Sequence, residues 1–276
     1  MNDSERNLRP EPPPARPRRI GYQVQDGIAT LELQEPPANC YSYEMMRELD
    51  EAILRARFDE DVHVLLLRGS GDKFFCAGAD IGMLQRVTPR YKYYFCLHAN
   101  ETLNRLEQTP KLVIAALNGH CVGGGLEVAM AADLRVARRG AGKIGLPEVS
   151  LGVLPGTGGT QRLARLVGKS RALELMVTGK LLSFEDAERI GLVHTILAPE
   201  DFAAGALEYA RQFVPPARAS RAVGLIKRAV HTGLEVGFEQ ALGLERELQQ
   251  QLFESDDASE GIRAYNDKST PRFQGR

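Results

Sequence analysis

The chain has 276 residues, 43% of them hydrophobic and 26% charged, which is enough to bury a sizeable core in one main domain with a smaller appended part. Thirty-five Lys and Arg against 36 Asp and Glu leave a formal charge of -1. That balance offers no global field for nucleic acid or an anionic membrane, so any anionic ligand must be held by local groups.

Residues 1–19 carry five prolines and five arginines and no apolar run. The composition is that of a disordered tail and not of a signal or transit peptide. Ile20–Val24 and Ile28–Leu33 flank Asp26-Gly27, a strong hairpin signal that marks the start of the folded chain. Ser42 can cap a helix through Phe58, whose Met46, Leu49, Ile53 and Leu54 recur at helical spacing. Val62–Leu67 reads as a strand buried on both faces, followed by a helix over Tyr91–Leu106, a second buried strand at Leu112–Leu117, a helix at Leu126–Ala132 and a third strand at Leu134–Ala137. Alternating strand and helix argues for an α/β fold. Beyond Gly158 the pattern is mainly helical: Thr160–Val167, Ala172–Val177, a start capped by Ser183 with Asp186 three residues on, Phe202–Phe213, Ala217–His231 and Val236–Phe253. Leu192–Leu197 alone still reads as a strand there. Pro215-Pro216 is the expected joint, dividing a core domain over 20–214 from a helical C-terminal region over 215–276. No internal repeat is visible, and no segment approaches the roughly 20 apolar residues of a membrane span.

The cysteines Cys40, Cys76, Cys96 and Cys121 form no CxxC pair, which suits reduced thiols in a cytoplasmic protein better than disulfides or structural zinc. The five histidines show no HExxH or paired spacing, so no metal site is expected. Gly140–Gly145 spells GxGxxG, but Leu146-Pro147 follows in place of a helix, and the segment reads as a turn. Gly168-Lys169-Ser170 lacks the first glycine of a P-loop, and no GxSxG elbow is present.

Three segments can carry chemistry. In Phe74–Ile81, Ala77, Gly78, Ala79 and Asp80 follow a buried strand, where small side chains expose backbone N–H groups or simply allow a tight turn. In Asn118–Glu127, Gly123, Gly124 and Gly125 open a helix at a cost of roughly 1 kcal/mol each relative to alanine. Such a start suits developing negative charge on an oxygen. Glu127 in its first turn reads equally as a functional acid or as a surface carboxylate favoured by the helix dipole. In Gly145–Leu163, Pro147 and the glycines, Gly156 among them, set a rigid path, and Glu148 by residue type alone is an ordinary loop acid.

The segments F-C-A-G-A-D-I, G-G-G-L-E, G-L-P-E-V-S-L-G and P-G-T-G-G-T-Q-R-L-A-R-L-V-G, in this order, closely resemble the enoyl-CoA hydratase/isomerase (crotonase) family from about Ile20 to the C-terminus. The resemblance implies a ββα superhelix whose C-terminal helices support a homotrimer, often paired into a hexamer. It implies an acyl-CoA thioester substrate and no separate cofactor, coenzyme A being part of the substrate. By the same matching, the Ala79 and Gly124 amides hold the thioester oxygen, Glu127 activates water and Glu148 protonates the α carbon of a trans-2-enoyl-CoA. Ala77, Gly78, Asp80, Ile81, Gly123, Pro147 and Gly156 fall on substrate-binding segments. Retention of both glutamates favours a hydratase over an isomerase or other acyl-CoA lyase or hydrolase. A non-catalytic CoA-thioester or RNA-binding protein is the alternative of another class, and the near-neutral charge argues against RNA. Gly82 stands where several hydratases carry a lysine, leaving Lys268 as a weaker candidate for a CoA phosphate. Tyr91, Tyr93, Tyr94 and Phe95 match the stretch that usually lines the acyl pocket, although an aromatic stripe at this spacing is expected to pack in the helix's own core.

Overall fold

The computed structural model describes residues 18–276, so the tail expected over 1–19 lies outside the described residues up to position 17. Strands β1 (Ile20–Gln25) and β2 (Ile28–Leu33) pair antiparallel, Ile20 opposite Leu33. Asp26 and Gly27 sit at φ 51° and 76°, the left-handed pair that a two-residue hairpin turn of the mirror-image type requires. Helix α1 (Tyr43–Phe58) starts at Ser42, whose hydroxyl accepts the Met45 N–H at 3.3 Å. It buries Met45, Met46, Leu49, Ala52, Ile53 and Ala56.

The chain then passes three times through one unit. First come β3 (Val64–Gly69), β4 (Phe74–Cys76), the short helix α2 (Ile81–Arg86) and α3 (Pro89–Glu107). Next are β5 (Leu112–Leu117), β6 (His120–Val122) and α4 (Gly124–Met130). The third pass is β7 (Leu134–Arg138), β8 (Lys143–Gly145), a 3-10 turn at Glu148–Leu151, and the helices α5 (Gly159–Val167) and α6 (Lys169–Thr178). The two-residue strand β9 (Leu182–Ser183), α7 (Phe184–Arg189), β10 (Thr195–Leu197) and α8 (Phe202–Arg211) complete the α/β part. After it come α9 (Ser220–Gly233), α10 (Phe238–Phe253) and α11 (Asp256–Asn266).

The long strands form one sheet in the order β1-β2-β3-β5-β7-β10, parallel from β2 onward, and the short ones a second sheet in the order β4-β6-β8-β9. Each unit thus gives one strand to each sheet before its helix, which is a ββα superhelix. The continuous apolar run of β3 follows from burial on both faces. Val64 and Leu66 join Ile114, Val136, Phe202 and Ala206 under α8, whereas Leu65 and Leu67 face the core shared with α1, α3 and α4.

Several expected elements are corrected. The short strands β4, β6, β8 and β9 were not anticipated, because two or three residues display no period. The strand expected at Val62–Leu67 begins at Val64, since the Val62 N–H turns back to the Asp59 carbonyl. Within Leu192–Leu197 only Thr195–Leu197 pairs, because the Leu192 and Val193 amides close onto the Ala187 carbonyl at the end of α7. Helix α11, capped by Ser255, was also missed. Segment 140–145 is a turn leading into β8, as expected. Among the described residues no helix is long and apolar enough to cross a membrane.

Candidate active site

The site forms where the segment after β4 meets the start of α4. Residues 78–80 form a parallel bridge with Tyr41: the Tyr41 N–H donates to the Gly78 carbonyl at 2.9 Å and the Asp80 N–H to the Tyr41 carbonyl at 3.1 Å. In such a bridge the N–H of the intervening Ala79 faces away from Tyr41. Gly78, at φ 92°, is held so close to α4 that a Cβ on it would lie 2.9 Å from the Gly124 nitrogen. Gly124 is the first residue of α4, so its N–H lies outside the intrahelical ladder. Among the described residues neither the Ala79 nor the Gly124 amide donates to a protein acceptor. Two donors with no protein acceptor therefore come from adjoining segments.

The glycine run is explained position by position. Gly123, at φ 58°, caps α4, and a Cβ there would lie 3.2 Å from Glu148 Oε1. A Cβ on Gly124 would fall on the Tyr41 hydroxyl, and one on Gly125 on the Cys76 carbonyl of β4.

Glu127 is only 2% exposed, so the surface-carboxylate reading is excluded. Its Oε1 accepts the Thr157 and Gly159 N–H groups, each at 2.7 Å, and its Oε2 accepts the Thr157 hydroxyl. Burial raises its pKa, opposed by those hydrogen bonds and by the Arg162 charge. Arg162 in turn donates to Glu107, Asn104 and the Thr157 carbonyl.

Glu148 opens the 3-10 turn directly after Pro147, its N-cap. Its Oε2 is buried with no hydrogen-bond partner among the described residues. Burial pushes this carboxyl up to about 7, its own backbone amide working against the rise and the Glu127 charge adding to it. It is thus no ordinary loop acid. Two electrostatically coupled carboxyls therefore sit in different environments, Glu127 tied to three donors and Glu148 beside Gly123 with one oxygen unpaired.

The remaining candidates divide. Ala77 and Gly78 shape the approach to α4. Asp80 caps α2 by accepting the Met83 N–H at 3.2 Å, Ile81 beside it is exposed, and the Gly156 carbonyl accepts from Asn100 at 3.2 Å. Lys268 is exposed beyond α11, and among the described residues no hydrogen bond or ion pair joins it to the site. The expected core packing of the α3 aromatics is corrected: Tyr91, Tyr93 and Tyr94 are 41%, 66% and 52% exposed, and Phe95 alone is buried, against Tyr41. The stripe is wider than the face that α3 turns inward. A cleft of about 650 Å³ between α3, α5 and α9 lies apart from this chemistry, sharing only Gly158 and Arg162 with the surroundings of Glu127. Sequence reasoning missed Tyr41, Thr157 and Arg162. The last two stood inside the quoted P-G-T-G-G-T-Q-R-L segment, but only the fold shows what they touch.

Comparison with known proteins places the fold and the family. The family described as enoyl-CoA hydratase/isomerase matches residues 23–276. The chain is 36% identical over 242 residues to the short-chain-enoyl-CoA hydratase of Clostridium acetobutylicum, covering 87% of this chain and 92% of that one. It is 35% identical over 255 residues to the crotonyl-CoA hydratase of Syntrophomonas wolfei, covering 92% and 97%. The crystal structure of an enoyl-CoA hydratase from Geobacillus kaustophilus superimposes with a TM-score of 0.91 at 45% identity, covering 94% of this chain and 98% of that one. The ββα superhelix is the crotonase fold, and the chain belongs to the enoyl-CoA hydratase/isomerase family.

Proposed function

We propose that the protein is an enoyl-CoA hydratase that adds water reversibly, in the syn sense, to a trans-2-enoyl-CoA. The observation that carries this reading is the pair of unlike carboxyls, Glu127 tied to three donors and Glu148 beside Gly123, close enough that the Glu127 charge raises the pKa of Glu148. In the hydration direction the thioester oxygen accepts from the Ala79 and Gly124 amides, and charge developing on it is met by donors already in place. Removing one such donor typically costs roughly 3 kcal/mol. Glu127, held by three donors, takes a proton from water as its oxygen bonds to the β carbon. Glu148, with its raised affinity for a proton, protonates the α carbon as the enolate collapses. The proton left on Glu127 then returns to Glu148 by exchange, and the same steps run backwards for dehydration.

The test follows absorbance of the conjugated enoyl thioester. Its loss on adding enzyme to trans-2-butenoyl-CoA supports hydration, and Glu127→Ala must abolish it. Appearance of that absorbance from a 3-enoyl-CoA, with no loss in the first assay, would instead indicate an isomerase using Glu148 alone. A panel of acyl groups placed against the exposed Tyr91, Tyr93 and Tyr94 defines chain preference. We further propose assembly as a homotrimer or a hexamer of paired trimers, supported by Ile226, Val230, Phe238 and Tyr265, which are 60%, 56%, 76% and 85% exposed on the C-terminal helices. Light scattering showing a monomer at micromolar concentration would contradict it.

A further inference from the structure

The hydratase reading leaves Glu127 with a difficulty, since a carboxylate 2% exposed must stay ionised to activate water. Its own helix does not solve this, because two of the three hydrogen bonds to its oxygens come from Thr157 in the loop before α5 and the third from Gly159, the first residue of α5. The donor to Oε2 is a side chain. Thr157 Oγ1 lies 3.2 Å from the Tyr41 hydroxyl, a buried contact between residues 116 apart in sequence. An ionised carboxylate only accepts, so the Thr157 hydrogen must point to Glu127 and its lone pairs must receive the Tyr41 hydrogen. The direction of the whole chain is therefore set by the charge on Glu127.

Both ends of this chain are fixed by packing. Tyr41 is 3% exposed, packs against Phe95 with ring centroids 5.8 Å apart and lies where a Cβ on Gly124 would fall. Burial and the Glu127 charge both raise the pKa of its phenol, which keeps it a donor. Arg162 holds the Thr157 carbonyl while anchored on Glu107 and Asn104. The titratable groups facing Glu127 are Glu148 from the 3-10 turn, Cys96 from α3, Arg162 from α5 and Tyr41 ahead of α1. Of these, only Arg162 brings a positive charge.

We propose that Tyr41 and Thr157 form a hydroxyl chain that keeps Glu127 ionised and aimed at the water, making both of them positioning residues for hydration. The proposal rests on the hydratase reading and adds residues that act through Glu127.

The test measures kcat and KM for trans-2-butenoyl-CoA across pH in wild type, Thr157→Val, Thr157→Ser and Tyr41→Phe. Valine preserves shape and the backbone N–H but deletes the hydroxyl. A hydrogen bond to a charged group is worth about a 10- to 100-fold change in equilibrium. Thr157→Val should therefore lower kcat by at least about tenfold, leave KM within about twofold, and move the acid limb of kcat/KM up by roughly one pH unit. Thr157→Ser should restore the limb, and Tyr41→Phe should move it in the same direction by less. A Thr157→Val protein with wild-type kcat and an unmoved acid limb refutes the chain, as does a serine variant that stays as impaired as valine. If valine at this position prevents folding, Tyr41→Phe decides: an unmoved limb there refutes the proposal. Wild-type protein that leaves trans-2-butenoyl-CoA unhydrated overturns the hydratase reading itself, a result distinct from active enzyme with an indifferent limb.

Discussion

Replacing Glu148 with glutamine should remove activity and, at alkaline pH, make the fold more stable. Burial and the Glu127 charge lift this carboxyl from 4.5 to about 7, so the folded protein resists its ionisation whereas the unfolded chain does not. At 1.36 kcal/mol per pH unit that difference has a ceiling of about 3.4 kcal/mol. The carboxyl still borders solvent, and screening reduces the usable figure to about 1–2 kcal/mol. The sign follows from linkage. Below about pH 4.5 the group is protonated in both states and costs nothing. Between about 4.5 and 7 the unfolded state has given up the proton that the folded state retains, so stability falls across that window, and the full cost is present above 7. Glutamine is neutral throughout and escapes it. With a melting entropy of about 2.1 cal/mol/K per residue, the gain at pH 8 amounts to roughly 2–4 °C in Tm. Melts of both proteins at equal concentration from pH 5 to 8 give the answer, the gap widening up to about pH 7 and staying level above it. In a Glu127→Gln background the pH at which the gap levels off should drop, because one of the two causes of the rise is gone. A gap that is the same at pH 5 and pH 8, or a less stable glutamine variant at pH 8, would refute the account of Glu148 as a carboxyl strained by its site.

Three further outcomes are expected. Gly125→Ala drives a Cβ into the Cys76 carbonyl, a clash of backbone with side chain that no rotamer relieves; a loss of about 3 kcal/mol or more in urea unfolding, or no soluble protein, is expected. Ala79→Ser leaves the backbone donor in place and should keep kcat within a few fold, while Ala79→Pro deletes it and should cost on the order of 100-fold in kcat, read by the same absorbance assay. Arg135 is fully buried and donates to the Leu192, Ala129 and Ala132 carbonyls, tying the end of α4 to the turn before β10. Arg135→Met should lose about 3 kcal/mol in chemical unfolding through those orphaned acceptors, and unchanged stability would show that the carbonyls find other partners.

What was legible in the sequence divides by the range of the interaction that writes the signal. The Asp26-Gly27 turn and the Ser42 cap are local contracts between neighbouring residues, and both are found where the residue types placed them. The strands β4, β6, β8 and β9 depend on partners far along the chain and are too short to carry a period of their own. The tyrosines of α3 were misassigned because aromatic spacing announces a helical face without saying which part of it the core will cover. Glu127 was undecidable for a related reason: what separates a surface acid from a buried base is a set of donors some thirty residues later, at Thr157 and Gly159. The run Gly123-Gly124-Gly125 shows how a tertiary requirement can still surface in sequence. Its cost in backbone entropy had no local compensation, and the structure supplies one at each position: a carboxyl, a phenol and a carbonyl, each where a Cβ would stand. Those three approaches come from Glu148, Tyr41 and Cys76, on separate segments, and they converge on the backbone that presents the Gly124 amide. The glycines are the record of that convergence, so the part of the site most readable in sequence is the part where space, rather than chemistry, leaves only one residue type.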